Sequence, residues 1–137
     1  MNKGKCFISY EDTEEKKWWH ENLVRITNYH FNDFSIKGKY LAQRLINTIL
    51  PQRKFPLDWK LYGGNCSSWW TLPAEAAYFF ADTITNNSKL KNFAKLTWAP
   101  DEYLYATILM NSQFKDDVVN DNYRFIDWSE KRRIPNY

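Results

Sequence analysis

Apolar and polar positions alternate in short runs along the chain. Cys6 to Tyr10 (CFISY) reads as a short strand followed by turn-prone acids. Glu14 to Phe31 mixes charges with aromatics and reads as irregular or partly helical. Ser35 to Leu50 carries a helical pattern: Tyr40, Leu41, Leu45 and Thr48 on one side, Lys39, Gln43 and Asn47 opposite, with Pro51 as the stop. Pro51 to Ser68 is a loop with two prolines and the pair Gly63-Gly64. SSWWTL (67–72) predicts a short strand. Pro73 opens a helix broken at Asn86, Asn87 and Ser88, and Ser88 caps another. Pro100 begins a nearly all-apolar helix running toward Phe114, and a strand near Tyr123 to Trp128 follows an Asn-Asp-Asn turn. Strands alternating with helices predict an α/β fold in one domain, 1–137, without repeats or a low-complexity linker.

Composition sharpens this. Of 137 residues, 44% are apolar and 26% charged, enough for a packed core. Aromatics reach 18%, with seven Trp, nine Tyr and nine Phe, which fits a well-filled core or a surface on which rings stack. A net charge of +3 is weaker than the bias of a nucleic-acid binder. Its basic residues gather at Lys37, Lys39, Arg44, Arg53 and Lys54, and at Lys131, Arg132 and Arg133; each group reads as a solvated face or an anion site. Cys6 and Cys66 form no disulfide framework, and His20 and His30 have no metal-ligand spacing. Neither a membrane-span-length apolar run nor a signal-peptide core is present, so the expected location is cytoplasmic, or peripheral at the inner membrane.

Two segments carry candidate chemistry. With Pro100 as the first helical residue, Asp101 and Glu102 fall where free N–H groups and the helix dipole favour carboxylates. The helix behind them has almost no polar side, so a poorly hydrated carboxylate suited to general-base work is one reading. The other is a pair of ordinary helix-end acids, Glu102 bonding back to the cap position because Ala99 caps poorly. In LYGGNCSSWW (61–70), Gly63-Gly64 admits close backbone approach, Asn65, Ser67 and Ser68 offer hydrogen bonds, and Trp69 and Trp70 alternate to opposite faces. That mixture suits a sugar; it also suits a glycine turn before a buried strand.

Three stretches in order, LYGGNCSSWWTL, APDEYLYATILMNSQF and NDNYRFIDWSE, resemble the core-2/I-branching β-1,6-N-acetylglucosaminyltransferases, their bacterial relatives and the related peptide O-xylosyltransferases. They cover about Lys60 to Glu130, and KGKCFISYED is similar to the family's preceding strand. The resemblance implies part of a GT-A-like domain and an inverting transfer of a sugar, N-acetylglucosamine above all, from a UDP-sugar to an acceptor hydroxyl, in a role such as bacterial surface polysaccharide synthesis. It implies no metal cofactor, positive side chains neutralising the diphosphate, and the chain contains no DxD.

By the same resemblance Glu102 matches the catalytic base and Trp128 an acceptor-contacting aromatic. Glu130 stands where mammalian relatives have an acceptor-binding tyrosine. Gly64, Asn65, Trp69 and Trp70 match the segment beside the sugars, while Asp101 is read as a supporting or capping carboxylate. The family's phosphate-holding motif has no counterpart here, and Lys131, Arg132 and Arg133 are the substitutes on offer. The domain is about twice this length in the family, so the expectation is an acceptor-side half whose nucleotide-binding N-terminal half, or a partner chain, is separate. A non-catalytic carbohydrate-binding module and an interaction protein are the alternatives.

Overall fold

The computed structural model describes residues 4–15, 23–64 and 67–125. They form a small mixed α/β arrangement of short strands and helices. β1 (Cys6–Ile8) is the centre of a three-stranded sheet, antiparallel to β4 (Trp70–Thr71) and parallel to β5 (Val118–Val119). A second ladder pairs β2 (Glu11–Asp12) antiparallel with β3 (Tyr62–Gly63), Glu11 opposite Gly63. The helices are α1 (Val24–Thr27), α2 (Lys39–Ile49), α3 (Ala74–Asn86), α4 (Ser88–Lys95) and α5 (Leu104–Met110).

The strands are too short to hold one another by backbone bonds alone, and side-chain amides extend them. Asn120, just after β5, accepts from the Tyr10 N–H (2.8 Å) and donates to the Tyr10 carbonyl (2.9 Å), as a further strand residue would. Cys6 and Ile8 point from the central strand into the core, both fully buried. Burial pushes the Cys6 thiol above its usual range, with the Asp117 charge adding to it.

α5 is the centre of the packing. Five of its seven residues are buried, because its sequence has no polar stripe to turn toward water. Leu104 and Ile108 pack with Ile26, Leu90, Phe93 and Tyr103; Ala106 and Leu109 pack on the other side with Cys6, Ile8, Ala76 and Phe114. Partly buried Phe79 touches both clusters.

Several sequence expectations are met: β1, β4, α2 and α3 form where the pattern places them, and Pro73 precedes α3. Others are corrected. Asn87 caps α4, its side chain accepting from the Leu90 N–H (3.0 Å), so Ser88 is the first helical residue. The apolar helix does not begin at Pro100: residues Pro100–Glu102 form a separate 3₁₀ turn, and α5 ends at Met110. In the 118–128 region the strand is Val118–Val119; Asp121 to Phe125 are non-strand, with side chains of Asp121 and Asn122 accepting from the N–H groups of Tyr123 and Arg124. Residues 126–128 lie outside the described residues.

Arg53 also departs from expectation. It is buried rather than part of a solvated face, and its guanidinium donates to the carbonyls of Asn28, Leu96 and Phe93 and to the Thr97 hydroxyl, over the Phe93 ring at 3.9 Å. It adds a cation to carbonyls at the end of α4, a place that suits one, and ties them to Asn28.

Tyr103 lies in the same cluster, 1% exposed, and burial pushes its phenol up to about 12 from an ordinary 10.0. The native state thus holds a proton that the unfolded chain releases first. This contribution is complete below pH 10 and is lost as pH rises from 10 to 12, amounting to about 2–3 kcal/mol. Urea denaturation across that window should show falling stability, with a shallower fall in Tyr103→Phe. Equal slopes for the two proteins would contradict the assignment.

Candidate functional site

The site is assembled where β3 meets the 3₁₀ turn. The Thr107 hydroxyl of α5 accepts from the Tyr62 N–H (3.0 Å) and donates to the Tyr62 carbonyl (2.9 Å), and Asn111 donates to the Lys60 carbonyl (2.9 Å). These bonds lay β3 along the helix. The next residues then pass so close to the turn that a side chain is excluded: a Cβ on Gly63 would stand 2.7 Å from both the Glu102 carbonyl oxygen and the Tyr103 Cβ. Gly64, at φ 150°, donates its N–H to the Glu102 carbonyl (2.9 Å).

That bond explains the broken helix. A Glu102 carbonyl engaged by Gly64 is turned away from the helical ladder, and Tyr103, with φ −138°, begins the new one by accepting from the Thr107 N–H. Ala99 takes up the preceding bend in the left-handed region at φ 48°, sparsely populated for a residue with a Cβ.

Glu102 and Asp101 separate as a result. Asp101 is exposed, so the poorly hydrated carboxylate of the first reading is not this one. Asp101 still acts on Tyr105, whose phenol is raised by burial first and by the Asp101 charge second.

The Glu102 side chain is 22% exposed and meets the Arg25 guanidinium in a charge-assisted hydrogen bond. It does not bond back to the cap position. Arg25 comes from α1, whose neighbour Ile26 anchors in the core, and its guanidinium lies over the Trp98 ring at 4.3 Å. Arg25 and Trp98 were not singled out in the sequence: the Arg25–Glu102 contact spans 77 positions, and an isolated arginine in a short mixed segment carries no periodic signal.

An aromatic group stands beside Asp101. Trp70 turns inward against Tyr105 (4.8 Å between centroids), which stacks on Phe80 at 4.1 Å, while Trp69 faces outward, 48% exposed, with Arg124 over its ring. The two tryptophans thus diverge as strand alternation requires. On the strand-end side, a polar cleft of about 510 Å³ is lined by Ser9, Tyr10, Asp12, Tyr62 and Asn120, among others. It lies past the carboxyl ends of the parallel strands β1 and β5, the usual place for ligands in such sheets. Tyr62 and Gly63 are consecutive, so β3 joins this cleft to the Glu102 turn.

The structure therefore brings together Glu102 and Gly64, and sets the Asp101 charge near Tyr105, on which Trp70 packs. Asn65, Trp128, Glu130, Lys131, Arg132 and Arg133 lie outside the described residues. Among the described residues, no group of three His, Cys, Asp or Glu side chains is placed to hold a metal ion, and no helix is long and apolar enough to cross a membrane.

The family model described as Core-2/I-Branching enzyme matches residues 7–137. The chain belongs to the Core-2/I-Branching enzyme family. Membership implies glycosyltransferase activity, with a nucleotide sugar and an acceptor as substrates. No curated protein and no solved structure matches the chain. For this family member, the contact between Gly63 and the Glu102 turn is the steric condition of the site. Gly63→Ala should cost about 1–3 kcal/mol, because the obstructing atoms are backbone and Cβ and not a flexible side chain. Thermal unfolding measures this, and an unchanged midpoint would show that the approach is looser than described.

Proposed function

We propose that this chain is the acceptor-side portion of an inverting, metal-independent glycosyltransferase that uses a UDP-sugar, N-acetylglucosamine first among the candidates, with Glu102 as general base. The observation that carries this reading is the half-buried Glu102 carboxylate, oriented by Arg25 and fixed at its backbone by Gly64. A base must be ionised, reachable and held in one direction. The pair with Arg25 holds the carboxylate in one direction, and its remaining exposure leaves a path for a hydroxyl.

In the proposed step the Glu102 carboxylate takes the proton of the acceptor hydroxyl as its oxygen attacks the anomeric carbon. The bond from that carbon to the nucleotide's phosphate oxygen breaks, configuration inverts, and UDP leaves with the bonding electron pair. Trp70 and Trp69, with Asn65, Asp101, Trp128 and Glu130, are the proposed sugar-contacting side chains, and Lys131, Arg132 and Arg133 the proposed cations for the diphosphate. The cytoplasmic face of a membrane is the proposed setting.

One observation favours a second reading. An arginine bonded directly to the carboxylate occupies one of its oxygens, and the same geometry serves a carbohydrate-binding remnant in which Arg25–Glu102 is only a clamp between α1 and the turn.

Glu102→Gln separates the two. Loss of a general base lowers turnover about 10²–10⁴-fold, so in a full-length context with the nucleotide-binding half the variant should retain UDP binding by calorimetry while sugar transfer from the UDP-sugar collapses. Transfer at the parent rate would refute the base assignment. Absence of both UDP binding and transfer in the parent chain would favour a binding remnant or an incomplete enzyme.

A further inference from the structure

Helix α2 docks in an inverted sense. Its half-buried positions are Lys39, Gln43, Ile46 and Asn47, one helical face that is mostly polar. That face is held by hydrogen bonds to a neighbouring extended segment. Asn47 accepts from the Tyr29 N–H (2.7 Å) and donates to the Tyr29 carbonyl (2.8 Å); Gln43 accepts from the Phe31 N–H (2.8 Å); Lys39 donates to the Asn32 carbonyl (2.8 Å). The apolar face is left outward: Tyr40 and Leu41 are each 65% exposed, Leu45 53% and Ile49 76%. No α2 residue is buried. Phe34 and Ile36, also exposed, continue the surface at the start of the helix. A cavity of about 300 Å³ opens there, lined by Phe31, Phe34, Ile36 and Ala42 with Lys37 and Lys39.

The charge on this face indicates its partner. Residues 34–57 contain five basic side chains and no acid, which leaves fourteen basic against sixteen acidic residues, or −2, for the rest of the chain. Arg53 is consumed internally, and Lys37, Arg44 and Lys54 remain exposed beside the apolar surface. Exposed Leu, Ile and Tyr next to cations, with exposed Asp33 bordering them at Phe34, is the chemistry of an interfacial helix, whose apolar side enters the acyl boundary while Lys and Arg meet anionic headgroups. A protein partner would need an acidic apolar groove; a bilayer of anionic lipid supplies both features, and the apolar cavity between two lysines admits hydrocarbon under a negative headgroup.

We infer that α2, with Phe34 and Ile36, is a docking face for an anionic lipid bilayer, lying in the plane of the interface. The inference stands independently of the role given to Glu102.

The test is flotation of the full chain with vesicles of phosphatidylglycerol mixed into phosphatidylcholine, against pure phosphatidylcholine. Binding to the anionic vesicles is expected, weakened by salt and absent or much weaker on the neutral ones. The double variant Leu41→Gln/Leu45→Gln should reduce it by about tenfold or more, as should neutralising Lys37, Arg44 and Lys54 together. All of these side chains are exposed, so circular dichroism and the thermal midpoint should match the parent. No binding to anionic vesicles, or binding unchanged in the double variant, would overturn the inference. So would light scattering that shows a dimer of the parent chain abolished by Leu41→Gln/Leu45→Gln, because the face would then belong to a second copy.

Discussion

The Thr107 hydroxyl is the constraint on which the remaining arrangement rests. By bonding both backbone groups of Tyr62, it seats a two-residue strand on the helix whose buried residues enter both core clusters. So short a strand pairs with its neighbour through only two residue positions. A buried side chain that satisfies an N–H and a carbonyl at once adds what the missing ladder would have given. From this seating follow the close approach of Gly63, the bond from Gly64 to Glu102 and the interruption of the helix at Tyr103.

Glu102 is thereby placed by backbone geometry and aimed by a side chain from elsewhere. Its carbonyl is fixed by Gly64, its carboxylate by Arg25, and Arg25 in turn by the face of Trp98. A partly buried ion pair of this kind gains from the lower local dielectric and is costly to break on one side only. The arrangement holds the carboxylate stationary, as the proposed proton abstraction from a hydroxyl would require.

The sequence foretold what depends on local chemistry. Pro73 and the Asn86-Asn87 break delimit α3, the periodicity of Tyr40, Leu41 and Leu45 marks α2, and alternation divides Trp69 from Trp70. It failed where a distant partner decides. Helical spacing in α2 is the same whichever face docks, and the polar face won because Gln43 and Asn47 complete the backbone bonds of residues 29 and 31. The apolar run after Pro100 reads as one helix until the Gly64 N–H, far away in sequence, captures the Glu102 carbonyl. Glu102 itself was singled out both by its place before an apolar helix and by the family motif, whereas Arg25 has no signature that sequence alone displays.

The central claim is that Arg25 acts on the reaction only through Glu102. A double-mutant cycle on transfer rate, with Arg25→Gln, Glu102→Gln and the pair, tests it directly. The account predicts that the double variant is no slower than Glu102→Gln alone. Losses that multiply independently in the double variant would contradict it.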